Sequence, residues 1–264
     1  MAVIATVIGV ILLAAAWRAG PWLAAHDRRF WMTAVACLSV TGAWFAGYEL
    51  TQVALQLIPW DDAIFFERLP LYVAIVLLLS ISLPRLDRRV MRVAVATIGA
   101  IFSLYAVAEV AAPLPLPLFA DQLSAQTEGP AEVTQSTGWS CGAAALAWTV
   151  RLHGIPASER QMARLAVTAP LRGTSPRGML RALHRVGLRA HAVKPATWAE
   201  IADASKPAII GWKLSASVAH SVLLLGIDED EVIIGDPLSG QITYSKQDFL
   251  DRWMRDLIVV RPPG

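Results

Sequence analysis

Four apolar stretches, at residues 2–17, 30–48, 69–84 and 90–112, crowd the first part of this 264-residue chain. A helix that spans a bilayer needs about 20 apolar residues, with about 17 as the short limit. The second and fourth stretches meet that length. The first is marginal, and the third reaches it only if Phe65 and Phe66 extend it past Glu67 and Arg68. Four spans are expected over residues 1–112, with three as the alternative. The whole chain, 55% hydrophobic and only 17% charged, is too apolar for an ordinary soluble protein. A net charge of +2 gives no basis for nucleic-acid binding.

Loop charges predict the orientation. The first loop carries Arg18, Arg28 and Arg29, and the third Arg85, Arg88, Arg89 and Arg92. The second holds Glu49, Asp61, Asp62 and Glu67 with only Arg68 for balance. Lys/Arg-rich loops stay cytoplasmic, so the second loop and everything after the fourth stretch are expected outside. The start, Met-Ala-Val-Ile, lacks the basic segment of a signal peptide, and residues 1–17 read as a retained anchor. The expected location is the bacterial cytoplasmic membrane, as an integral protein with its C-terminal domain periplasmic or extracellular. Glu109 is expected at the interface, near the outer end of the last span.

Residues 113–130 read as a linker. Alternating prolines in Pro113–Phe119 predict an extended, stiff spacer. Residues 131–264 then form one independent domain. Helices are expected at 141–154, closed by Gly154, at 158–167 with Ser158 as N-cap, and at 175–186 with Pro176 in the first turn. Strands follow at 188–193, 207–212, 220–227, 231–235, 241–244 and 257–260, with short helices from Thr197 and over 246–254. Helices first and strands later predict an α+β domain with an antiparallel sheet.

The domain has one cysteine, Cys141, at the start of the Ala-rich helix. A helix N-terminus favours a thiolate, and a nucleophilic thiol needs a base, a group that orients the base, and oxyanion donors. Of five histidines, His26 lies in a cytoplasmic loop, and His153 is about 18 Å along the helix from Cys141. His184 sits on a polar helix face, and His191 lies in a strand with no acid following. His220 opens an apolar strand, and the next strand ends at Asp236. A hairpin centred near Glu229 sets His220 opposite Leu238 and Val222 opposite Asp236. His220 and Asp236 are then diagonal neighbours on one face, with Cα atoms about 7–8 Å apart. A half-step change in the turn would put them on opposite faces. Gln135, six residues before Cys141, is a candidate oxyanion donor beside the Cys141 amide. The residues carry no zinc pattern, no phosphate loop and no G-x-S-x-G elbow, so no metal or cofactor is expected.

Taken together, Gln135, Cys141-Gly142, the helix to Gly154, the run Gly173–Gly178, His220, and Asp236-Pro237 with Gly240 resemble the bacteriocin-type double-glycine leader peptidases, a family of papain-like cysteine peptidases. The resemblance covers about residues 130–260. It implies a papain-like fold, Cys141 as nucleophile, His220 as base, Asp236 as orienter and Gln135 as oxyanion donor. It also implies a peptide or protein substrate cut after a small, Gly-rich leader site, with separate export machinery as a further partner. Two departures stand out: Ser140 replaces the usual acidic residue before the Cys, and Ser221 the usual aromatic after the His. The domain also follows the membrane segment instead of leading a transport ATPase. A non-catalytic peptide-binding module and a transglutaminase-like acyl transferase are the alternative readings.

Overall fold

The computed structural model describes residues 1–49, 68–127, 129–170, 172–215 and 218–262. They fall into two compact units, 1–114 and 115–264. The expected acidic loop with Asp61, Asp62, Phe65, Phe66 and Glu67 lies outside the described residues.

The first unit is helical: α1 (Ala2–Ala24), α2 (Asp27–Glu49), α3 (Leu69–Ser82) and α4 (Arg89–Ala111). Each expected apolar stretch is helical. Among the described residues, α1 and α4 are long and apolar enough to cross a bilayer, and α3 is a shorter apolar helix. Helix α1 runs past its expected end at residue 17, through Pro21. Polar groups within this unit find partners, as an apolar setting demands. The Trp17 indole donates to Ser103 Oγ at 3.1 Å, and Ser80 Oγ donates to the Trp17 carbonyl at 2.9 Å. Glu109 pairs with Arg68 at 3.1 Å, and Arg85 pairs with Asp27 at 2.5 Å.

The second unit starts where an extended spacer is expected and instead turns into a short helix, α5 (Leu116–Phe119). A proline φ near −65° suits a first helical turn as well as an extended chain. Burial decides between them, because the turn packs Leu116 with Leu123, Ala143 and Ala163 against Trp139. The polar residues that follow are tied down too. Arg151 donates to the carbonyls of Gln126, Pro130 and Ala157, and Arg160 to that of Leu123.

Three helices come next: α6 (Cys141–Leu152), α7 (Glu159–Leu165) and α8 (Pro176–Arg185). Ser158 and Ser175 cap the last two by accepting from Gln161 N and Gly178 N. Helix α6 is buried from Gly142 to Val150. A helix buried all round must be apolar all round, and its four alanines let neighbours approach closely. After β1 (Arg189–Val193), a reciprocal Thr197–Glu200 capping box starts α9 (Trp198–Asp203). Then come β2 (Ala208–Lys213), β3 (Ala219–Asp228), β4 (Glu231–Asp236), β5 (Gly240–Ser245), α10 (Lys246–Arg252) and β6 (Trp253–Arg261).

The six strands form one antiparallel sheet in the order β1-β6-β2-β3-β4-β5. Helix α10 ends two residues before the expected Met254, and β6 begins directly at Trp253. Burial again overrides propensity. Trp253 pairs with Trp212 across β2, enters the core with Phe249, and donates its indole N–H to the Asp256 carbonyl at 2.8 Å.

The β3–β4 hairpin contains a bulge. Near the turn, Asp228 pairs with Glu231 and Ile227 with Val232; beyond Leu225, Leu224 pairs with Ile234 and Leu223 with Gly235. The extra residue switches the inward-facing set on β3. Ile227 before the bulge, and Leu224 and Val222 after it, all pack in one core with Val232 and Ile234. One more step of that pairing sets Val222 beside Asp236. His220 and Asp236 therefore share a face.

Strand β2 is locked to β6 by a side chain. Asp256 Oδ1 accepts the Gly211 N–H at 2.6 Å, and a Cβ on Gly211 would lie 2.4 Å from that oxygen. Gly211→Ala is therefore expected to destabilise the domain by about 1–3 kcal/mol, read as a lower midpoint of thermal unfolding. An unchanged midpoint would refute the tight fit.

Candidate active site

Cys141 is the first residue of α6, and its thiol is partly exposed. The N-cap residue Ser140 makes no side-chain cap bond to the helix. Its hydroxyl is used within the preceding loop, accepting from Thr137 N at 3.1 Å and donating to Thr137 O at 3.0 Å. The first helical amides thus keep free donors, and the Gly142 N–H donates to the sulfur. Gly142 is required by packing, because a Cβ there would lie 2.7 Å from Thr174 and from Met179 at the start of α8.

The imidazole of His220 is the thiol's side-chain partner. His220 and Asp236 are buried, at 5% and 6% exposure. His220 Nε2 donates to Asp236 Oδ1 at 2.7 Å. A carboxylate only accepts, so the hydrogen sits on Nε2 and Nδ1 is left for the thiol. Asp236 is itself fixed by the turn that follows it. Its Oδ1 accepts from Leu238 N at 2.8 Å and its carbonyl from Ser239 N at 3.1 Å. The Asp-Pro-Leu-Ser-Gly run is both a turn and a carboxylate holder.

Gln135 is joined to the same turn through its backbone, with its N–H donating to Pro237 O at 2.9 Å. Its side-chain amide donates to Thr137 O at 2.7 Å, which holds one of its two hydrogens. Three sequence candidates, Cys141, His220 and Asp236, are thus hydrogen-bonded in series, and Gln135 is tied to the Asp236 turn. The other histidines play no part in this chain. His184 Nε2 contacts the Ala190 carbonyl at 3.0 Å, His153 closes α6, and His191 lies on exposed β1. The Ser221 N–H, which also donates to the Cys141 sulfur, was not legible from sequence, because any residue supplies a backbone amide.

Burial opposes charge on the Cys141 thiol, but the His220 hydrogen bond and charge, with the Ser221 and Gly142 amides, outweigh it, and its pKa falls below the ordinary value. Burial likewise opposes the His220 cation, yet Asp236 and Cys141 push its pKa up to about 9. Burial also opposes the Asp236 carboxylate, and the His220 bond and Leu238 amide bring its pKa down. The signs agree: a thiolate–imidazolium pair exists between the lowered thiol pKa and about 9. Alkylation by iodoacetamide follows the thiolate. With the chain's other cysteine, Cys37 on α2, replaced by Ala, its acid limb is expected well below the pH of about 8.5 typical of a free cysteine. His220→Ala should move that limb up toward about 8.5, since only the Ser221 and Gly142 amides then oppose burial. Matching profiles in the two proteins would rule out the pair.

A match to the Peptidase C39 family covers residues 131–263, half of the chain. An uncharacterised protein of Methanothermobacter thermautotrophicus is 34% identical over 131 residues, spanning 50% of this chain and 88% of that protein. A second uncharacterised protein, from Methanothermobacter marburgensis, is 32% identical over 128 residues, spanning 48% of this chain and 86% of its own length. Among solved structures, the peptidase domain of Streptococcus ComA, a bifunctional ABC transporter of a quorum-sensing pathway, is 24% identical. It covers 49% of this chain and 96% of its own, with a TM-score of 0.46. A double-glycine-motif protease from an AMS/PCAT transporter, solved with its leader peptide, is 22% identical. It covers 52% of this chain and 94% of its own, with a TM-score of 0.44. With its helices, its antiparallel sheet and a family match over the whole region that carries Cys141, His220 and Asp236, the chain belongs to the Peptidase C39 family, a family of papain-like cysteine peptidases.

Proposed function

We propose that this protein is a membrane-anchored cysteine peptidase that cuts exported or membrane-tethered peptides after a small, Gly-rich leader site. The observation that carries the reading is the His220 imidazole, bonded on one side to Asp236 Oδ1 at 2.7 Å and on the other to a thiol at a buried helix N-terminus. Family membership supports the reaction class.

In this reading the Cys141 thiolate attacks the scissile carbonyl carbon, and the π electrons move to oxygen. The oxyanion takes hydrogen bonds from the Cys141 amide and from the second hydrogen of the Gln135 side chain. The His220 imidazolium gives its Nδ1 proton to the leaving amine, which departs and leaves an acyl-thioester. His220 then takes a proton from water, the hydroxide adds to the thioester carbonyl, and collapse releases a carboxylate and the thiolate. Asp236 holds the imidazole in the productive tautomer and favours its cation.

The test is a panel of peptides with an internal Gly-Gly, incubated with the full chain in detergent and read by mass spectrometry. Cleavage after the second glycine is expected, with losses of about 10⁴-fold or more for Cys141→Ala and His220→Ala. Gln135→Ala should lose about 10²–10³-fold. No cleavage of any peptide by a folded, thiol-reactive protein would sink the peptidase reading. Added amine incorporated into the product, with little hydrolysis, would make the enzyme an acyl transferase.

We place the peptidase domain outside the cytoplasm, as supported by the arginines of the first and third loops and the apolar lengths of α1 and α4. A periplasm-active phosphatase joined after Gly264 should then be active. An expressed but inactive fusion would reverse the orientation.

A further inference from the structure

Glu159 is fully buried, at 0% exposure, in the first turn of α7. A buried carboxylate is costly unless its oxygens are satisfied. Its partners are all neutral donors. Oε1 accepts from Ser136 N at 2.8 Å, Oε2 accepts from Ser124 N at 3.0 Å, and the Ser136 hydroxyl also donates to Oε2. Ser136 follows Gln135 directly. The dipeptide Gln135–Ser136 is thus gripped from two elements, its first N–H by Pro237 O on the Asp236 turn and its second by Glu159 on α7. The rest of the loop secures itself through the Thr137–Ser140 bonds. Two anchors one residue apart fix the backbone that bears the Gln135 side chain. One leads to the His220–Asp236 pair, and the other leads to Glu159, while the Ser136 hydroxyl also accepts from Ser124 N at 3.1 Å.

We propose that Glu159 is a positioning residue for Gln135: its buried carboxylate holds the Ser136 backbone so that the Gln135 amide is aimed at the oxyanion formed on Cys141. This rests on the reading of Gln135 as an oxyanion donor. Glu159 makes no bond to Cys141, His220 or Asp236, so the thiolate does not depend on it. It therefore acts on reactions that form an oxyanion and spares those that do not.

Two probes separate the effects. Iodoacetamide alkylates the thiolate by displacing iodide at carbon and forms no oxyanion. A peptide aldehyde ending in Gly-glycinal adds the thiolate to its carbonyl carbon. The π electrons go to oxygen, which is bonded by the oxyanion donors and takes the imidazolium proton to give a neutral hemithioacetal. Both are measured on the full chain in detergent, in a Cys37→Ala background. Gln135→Ala is expected to weaken aldehyde binding about 100-fold, and Glu159→Ala about 10-fold. Iodoacetamide rates should stay within about twofold in both, because the thiolate is untouched. In the Gln135→Ala background, Glu159→Ala should add less than about twofold, since coupled residues are not additive. If Glu159→Ala does not fold, Glu159→Gln serves. It keeps one acceptor for Ser136 N, and a loss of about threefold is expected, again absent without Gln135. Aldehyde affinity left unchanged by the Glu159 variants, additive losses, or an equal fall in the alkylation rate would overturn the positioning role and leave Gln135 as donor. No effect of Gln135→Ala would remove the donor reading and the positioning role with it.

Discussion

The bond from His220 Nε2 to Asp236 Oδ1 exists in only one of the two registers open to the β3–β4 hairpin. The turn alone selects the other. Its pairs, Asp228 with Glu231 and Ile227 with Val232, continued without interruption would put Asp236 on the face opposite His220. The extra residue at Leu225 shifts the ladder by one and brings both side chains to the same face. Everything at the site depends on that shift. It fixes which ring nitrogen carries hydrogen, which nitrogen meets Cys141, and where the Asp236 turn stands to take the Gln135 N–H. Bulges occur beside active sites for this reason: they re-aim a side chain without changing the fold.

The thiol owes its state to a contest in which burial is the largest single effect and still loses. Desolvation alone would raise the Cys141 pKa, as for any buried cysteine. The His220 bond and charge, and two amides from different elements, act together against it. Two sequence features make this possible. Gly142 lets the start of α8 close over the helix end without a Cβ in the way. Ser140 spends its hydroxyl inside the loop and leaves the helix amides free for sulfur and oxyanion.

Much of this was legible in the chain. The capped helices α7, α8 and α9 follow from Ser158, Ser175 with Pro176, and Thr197 with Glu200, because capping is local chemistry. The alternation of β3 and β4 exposed the His220–Asp236 pairing, and the assumed centre at Glu229 matched the site end of the hairpin. The bulge itself was not read from the sequence: Gly226 beside Leu225 is a strand glycine of the kind that marks one, but its place is set by burying Ile227 and Leu224 in one core. The same limit applies at Pro113–Phe119 and at Trp253. Local rules favoured an extended spacer and a longer helix, while burial of Leu116 and Trp253 chose otherwise. Glu159 did not stand out in the sequence, since nothing there links it to Ser136, 23 positions earlier.

The helical unit poses a different physical problem. Val3, Ile4, Val7 and Ile11 on α1, and Val90, Val93, Ile98, Ile101 and Leu104 on α4, are exposed. Each large apolar side chain left in water forgoes about 1.5–3 kcal/mol, and two helices dressed this way would be an aggregation liability in solution. In a bilayer the same faces are solvated by lipid. The internal polar groups, Trp17, Ser80 and Ser103, are already bonded to one another or to backbone, as that solvent requires. The ion pairs Arg68–Glu109 and Arg85–Asp27 draw on residues at or just beyond helix ends, where charge costs least. These features support a membrane anchor and make the arginine-rich loops the natural determinants of its orientation. The outer-face placement proposed for the peptidase domain rests on those loops.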